Sequence, residues 1–277
     1  MMSTYTLGLS SCPNDTFIFH ALLEGLVPAP CSLQSHMADV EALNALVCQE
    51  KLSFSKISVG ACAQFLDRYA IMASGGALGF GCGPLVVAKK ELNAESLRTG
   101  TVAIPGELTT ANLLLSLTEM FEGPRKVMLF SDIIPSVDRG EVDLGVIIHE
   151  GRFTYQNYGL RMILDLGAWW EKKYGLPLPL GAIVVHRDVP RNDALAMEAA
   201  ITKSLSYAFD HPDASKAFVR HHAQELDERV IASHISTFVT KYSLHLGREG
   251  EEAISRLVTE AAKRAGKTLP KEGLFLR

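Results

Sequence analysis

Short apolar runs alternate with amphipathic stretches over the first two thirds of the chain. Tyr5–Ser10, Leu52–Ile57, Ala70–Ser74, Pro84–Lys89, Thr101–Ile104, Lys126–Phe130, Leu144–Ile148, Met162–Leu166 and Leu180–His186 read as strands. Leu144–Ile148 is nearly continuous in apolar residues, the mark of a strand covered on both faces, and Met162–Leu166 repeats it. Asp15–Gly25 reads as a helix, with Asn14 or Asp15 as its cap and Gly25 as its stop. Asp39–Glu50 is amphipathic, with Val40, Leu43, Leu46 and Val47 on one side. Val59–Arg68, Thr110–Phe121 and Ile133–Arg139 are further helix candidates. Beyond Asp188 the pattern turns helical, over Asp193–Phe209, Asp213–His222, Glu228–Ser243 and Arg248–Ala265.

This alternation predicts an α/β chain with parallel or mixed sheets. A strand-rich middle between a βα start and a helical tail predicts an inserted second domain. The crossings are expected near Val87–Lys90 and Leu180–Ile183. They divide the chain into a larger, discontinuous lobe of residues 1–88 and 183–277 and a smaller inserted lobe of 89–182. The tail either packs on the larger lobe or forms a subunit contact, which leaves a homodimer open.

Composition narrows the function. The 277 residues are 47% hydrophobic and 21% charged, a globular balance. With 27 basic and 31 acidic residues the net charge is -4, which argues against nucleic acid or an anionic membrane surface as the main partner. A local cationic pocket for a small acid remains compatible with that balance. No basic-then-apolar leader and no apolar run of about 18–20 residues is present. The five cysteines, Cys12, Cys31, Cys48, Cys62 and Cys82, are odd in number and form no C-x-x-C pair. They read as small buried or half-buried thiols rather than disulfides or zinc ligands, so a reduced, cytoplasmic chain is expected.

Three segments share a strand–loop–helix pattern able to present backbone amides to an anion. The first is Ser10-Ser11-Cys12-Pro13-Asn14-Asp15-Thr16, where ordinary helix capping explains the residues equally well. The second is Lys56-Ile57-Ser58, read as lying beyond a strand end, where a lysine and a hydroxyl suit a carboxylate. An exposed lysine and a cap serine fit there equally well. The third is Pro105–Ala111, which brings a glycine and two threonines to a helix start. A fourth candidate, His149-Glu150, closes the buried run at 144–148 and places a group that titrates near neutrality at a strand tip. It lacks the second histidine of a zinc-protease helix, so no metal is expected. The glycine-rich Gly75–Pro84 precedes a strand rather than a helix, which argues against a dinucleotide cofactor and for a flexible connection. No cofactor is expected.

Several ordered motifs then become recognisable: Ser11-Cys12-Pro13-Asn14-Asp15-Thr16-Phe17-Ile18-Phe19, Ser74–Gly79, Gly83–Val87, Ile147-Ile148-His149-Glu150 and Asp165-Leu166-Gly167-Ala168-Trp169-Trp170-Glu171. Together with Arg152–Tyr155 and Leu176–Ile183 they resemble the 1,4-dihydroxy-6-naphthoate synthases of the futalosine-dependent route to menaquinone. The resemblance covers nearly the whole chain and weakens in the helical tail. It implies a two-lobed type II periplasmic-binding-protein-like fold with a cleft between the lobes and a helical C-terminal extension. It implies cleavage of cyclic dehypoxanthinyl futalosine, a small-molecule carboxylate, to the dihydroxynaphthoate and dihydroxyacetone. It assigns His149 as proton acceptor, and Lys56, Ile57, Ser58, Thr110, Ala111 and Asn44 as substrate contacts. A chorismate dehydratase of the same pathway and a non-catalytic solute-binding protein are the competing readings.

Overall fold

In the computed structural model, which describes residues 3–224 and 227–277, the first apolar run forms strand β1 (Thr4–Leu9). Helix α1 (Pro13–Leu23) follows, then β2 (Ser32–Met37). The strand β2 was not legible in the sequence, because Ser-Leu-Gln-Ser-His-Met is an exposed edge with no apolar face to signal it. Next come α2 (Val40–Cys48) and β3 (Phe54–Ser58). Asp39 caps α2, accepting from the amides of Glu41 and Ala42 at 3.0 and 3.1 Å. The helix expected over Val59–Arg68 is only a 3₁₀ turn, Val59–Gln64. It leads to β4 (Tyr69–Ile71) and β5 (Ala77–Gly79). The strand β5 replaces the flexible connection expected there: its three residues are buried.

The middle of the chain builds a second sheet. Its elements are β6 (Leu85–Ala88), α3 (Ala94–Thr99), β7 (Val102–Ile104), α4 (Thr110–Leu117), β8 (Arg125–Val127) and α5 (Phe130–Asp138). Then follow β9 (Leu144–Ile147), α6 (Gly151–Thr154), β10 (Arg161–Asp165) and α7 (Leu166–Tyr174). The strand order is β10-β6-β9-β7-β8, with β7 parallel to β8 and β9 and β6 antiparallel to β9 and β10. Central β9 is fully buried, as its apolar run predicts. Edge strand β10 is not: Arg161 and Met162 are exposed, so apolar content alone misplaced it. Leu85, Val87, Ile133, Val137 and Ile147 form the core of this unit, and each such side chain contributes about 1.5–3 kcal/mol by leaving water.

The start of α7 also departs from the sequence reading, which ran a strand through Leu166. Asp165 ends that strand by accepting from the amides of Gly167 and Ala168 at 2.8 and 3.0 Å. Here Gly83 meets Gly167 backbone to backbone. A Cβ on Gly83 would lie 2.3 Å from both the Cα and the N of Gly167. Gly83→Ala is therefore expected to destabilise the protein by about 1–3 kcal/mol through overpacking. Calorimetry should show a lower Tm, and an unchanged Tm would show that the contact yields without cost.

The chain then enters β11 (Leu178–His186), antiparallel to β3 and β4. The first sheet runs β2-β1-β3-β11-β4, with β5 also on β11; β1 is parallel to β2 and β3. The tail forms α8 (Arg191–Asp210), α9 (Lys216–His222), α10 (Glu228–Phe238), α11 (Lys241–Leu244) and α12 (Gly247–Ala265). It packs on the first unit: α8, α9 and α10 lie against α1, and α12 lies against the 3₁₀ turn. Ten of the eleven residues of α1 are buried as a result. Ser204 on α8 donates to the Ile18 carbonyl at 2.7 Å and accepts from the Leu22 amide at 3.1 Å.

Two compact units result, Met1–Gly79 with Pro179–Arg277, and Phe80–Leu178. These boundaries precede the expected 88/89 and 182/183. The first moves because β6 pairs with β9 and β10 and so belongs to the second sheet. No helix among the described residues is long and apolar enough to cross a membrane.

Candidate functional site

In the first unit, parallel neighbours β1 and β3 deliver the first two candidate segments. Pro13 occupies the first turn of α1 and Cys12 its N-cap position. Asn14 and Asp15 thus lie inside the helix rather than at its cap, a correction to the sequence reading. Asp15 instead organises a buried polar cluster. Its Oδ1 accepts from Lys56 Nζ at 2.6 Å and from Asn14 Nδ2 at 2.7 Å. Its Oδ2 accepts from the Ser10 hydroxyl at 2.7 Å and the Ser10 amide at 3.2 Å. Asp15 and Lys56 are 1% and 5% exposed, so this is a charge pair removed from water. The sequence reading missed the pair. Proline prefers the first helical position, and that preference places Asp15 within the first turn.

Lys56 lies within β3 rather than in a loop beyond it. Diagonally across on β11 stands Gly181, the partner of Ser58, where a Cβ would come within 2.8 Å of the Lys56 Cε. Glycine leaves room for the lysine stem. The Lys56 charge is balanced by Asp15 in its own unit. The ammonium thus offers directional N–H donors rather than the net positive pocket anticipated from the sequence.

Asn44 and Ser58 are joined directly. Asn44 Nδ2 donates to the Ser58 hydroxyl at 3.2 Å, and the Ser58 amide donates to Asn44 Oδ1 at 2.9 Å. Both residues are buried, so α2 is fastened to the end of β3. Strand alternation puts Lys56 and Ser58 on one face and Ile57 on the other. Ile57 is fully buried and pairs with Ala182, so its side chain belongs to the core.

The second unit carries the remaining candidates on the adjacent parallel strands β7 and β9. After β7, Thr109 caps α4 by accepting from the Asn112 amide at 3.2 Å, while its hydroxyl donates to the Gly106 carbonyl at 2.8 Å. Thr110 and Ala111 open the helix and are 3% and 2% exposed. Amides at such a helix start carry partial positive charge and favour an anion. His149 follows β9 with φ of 53°. Left-handed backbone costs a residue with a Cβ about 1–2 kcal/mol, and such strain gathers at functional sites. The Phe130 ring lies 5.0 Å from the imidazole, centroid to centroid. Neighbouring Glu150 is buried.

The candidates thus fall into two groups, one in each unit. Asn44, Lys56 and Ser58 gather in the first. Thr110, Ala111 and His149 follow neighbouring strands of the second. The thiols take no part in either set: none of the five cysteines is in a disulfide, and burial pushes Cys62 up and Cys82 up to about 12, keeping them protonated.

A family model described as menaquinone biosynthesis matches residues 5–263. A 1,4-dihydroxy-6-naphthoate synthase of Thermus thermophilus is 49% identical over 264 residues, covering 95% of this chain and 96% of that protein. A solved protein structure from Archaeoglobus fulgidus superposes with a TM-score of 0.89 at 32% identity, covering 95% of this chain and 98% of the other. The periplasmic aliphatic sulphonate-binding protein SsuA of Escherichia coli superposes with a TM-score of 0.66 at 12% identity, covering 96% and 89%. That last likeness concerns fold alone and identifies the two α/β units with extra C-terminal helices as periplasmic-binding-protein-like. With its match spanning nearly all of the sequence and both sheets, the chain belongs to the menaquinone-biosynthesis family.

Proposed function

We propose that the protein is a lyase that forms 1,4-dihydroxy-6-naphthoate from cyclic dehypoxanthinyl futalosine, with release of dihydroxyacetone. The observation that carries this reading is His149 at the tip of β9, one strand from the helix start at Thr110–Ala111. The 49% identity to a synthase of that name supports it. His149 takes a proton from the sugar-derived part of the substrate. The carbon skeleton then fragments, and aromatisation of the new ring draws the step forward. The amides of Thr110 and Ala111 hold the aryl carboxylate, helped by the helix dipole. Lys56, Ser58 and Asn44 supply donors to further substrate oxygens. Chemistry of this kind is proton transfer and fragmentation, for which an imidazole is a common general base. The cytoplasm is the compartment we propose for it.

The test is incubation of the purified protein with cyclic dehypoxanthinyl futalosine and, separately, with chorismate, followed by chromatography. Dihydroxynaphthoate from the first and unchanged chorismate in the second are expected. Dehydration of chorismate would overturn the assignment in favour of a dehydratase. Tight binding with no product would favour a binding protein.

A further inference from the structure

We propose that Arg152 is a positioning residue for His149: its guanidinium ties the turn that carries the imidazole to β6 and β10. The inference rests on the reading of His149 as the base and deepens it.

His149 sits just before α6, and the Arg152 amide donates to the His149 carbonyl at 3.3 Å. A four-residue helix has no stability of its own, and none of the residues of α6 is buried. The helix is half-buried throughout, so apolar packing fixes this turn only in part, although His149 needs an unfavourable left-handed backbone there. The Arg152 side chain supplies the anchor. Its Nη1 donates to the Gly83 carbonyl, and its Nη2 lies 2.9 Å from Asp165 Oδ2. Both partners are themselves immobilised. Gly83 enters β6 and is pressed against Gly167, and Asp165 spends its other oxygen on capping α7.

The contact is partly enclosed, with the Arg152 and Asp165 side chains 17% and 18% exposed. A planar guanidinium can serve two acceptors in fixed directions, which a lysine ammonium cannot reproduce. Gly83, Arg152, Asp165 and Gly167 come from three separate motifs that the proton-transfer chemistry leaves unused. The structure gives them one shared task, the aim of His149. A misplacement of about 1 Å in such a group can cost on the order of 10²-fold in rate.

The test measures kcat and KM for Arg152→Ala, Arg152→Lys and His149→Asn, with and without added guanidinium. Arg152→Ala is expected to lose on the order of 10²-fold in kcat with KM little changed, and to regain part of it with guanidinium. Arg152→Lys should lose a similar factor and His149→Asn should gain nothing from guanidinium. Should Arg152→Ala fail to fold, Asp165→Asn serves instead. Its Oδ1 can still cap α7, but its amide faces Arg152 with a donor, so the same selective kcat loss is expected. Wild-type kcat in a folded Arg152→Ala or Asp165→Asn, beside an inactive His149→Asn, overturns the assignment and leaves the base reading intact. A kcat loss matched by a rise in KM and without guanidinium rescue also overturns it. Near-normal turnover in His149→Asn instead removes the base reading itself.

Discussion

His149→Asn is expected to lower kcat by about 10²–10⁴-fold, the usual contribution of a general base, while substrate still binds. That range corresponds to roughly 2.7–5.4 kcal/mol of barrier. Asparagine is the informative replacement because the φ of His149 is 53°, and asparagine visits that region more readily than most residues. Alanine is less at ease in that region than histidine or asparagine, by up to about 1 kcal/mol, which would blur a chemical loss with a conformational one. The larger losses in the expected range exceed that cost several-fold, so the two effects are separable when both variants are compared. Binding should persist because the helix start at Thr110–Ala111 is untouched. Stopped-time product assays give the rate, and calorimetric titration gives the affinity. Near-normal turnover in the asparagine variant would remove His149 from the role.

The features legible in the sequence were those with a local cause. The apolar run of β9 announced a covered strand, and it delivered His149 to a strand tip. The helical spacing of Val40, Leu43, Leu46 and Val47 located α2, which Asp39 caps in the structure. What escaped had its cause elsewhere in the fold. The strand β2 is polar because it lies at an edge, and it exists through its pairing with β1. The strand β5 lies in a glycine-rich segment and is held by β11. The Asp15–Lys56 pair joins residues 41 positions apart. At its own position Asp15 looks like any acidic residue at a helix start, so local rules used it up as a cap. Arg152 and Asp165 were visible only as parts of motifs, since their bond to one another depends on how β10 returns beside β6.

Asp15→Asn is expected to be the most destabilising of the substitutions considered. It leaves the Lys56 ammonium, only 5% exposed, without its carboxylate. Breaking a buried pair from one side costs about 3–5 kcal/mol, more than the 1–3 kcal/mol or so expected for the Gly83→Ala clash. At roughly 2–4 °C per kcal/mol for a chain of this order, Tm should fall by on the order of 10 °C. The asparagine retains the shape and one acceptor oxygen, so the loss reports charge more than packing. Adding Lys56→Met removes the stranded charge, and replacing a whole buried pair by apolar groups is often neutral. The double variant should therefore recover most of the Tm. Turnover should not return with it, because Lys56 is also one of the proposed substrate donors. If Asp15→Asn melts at the wild-type temperature, the pair is not a stabilising element of the first unit. If the double variant regains both Tm and turnover, the lysine serves the fold alone, and the hydrogen bonds to substrate in this unit fall to Asn44 and Ser58.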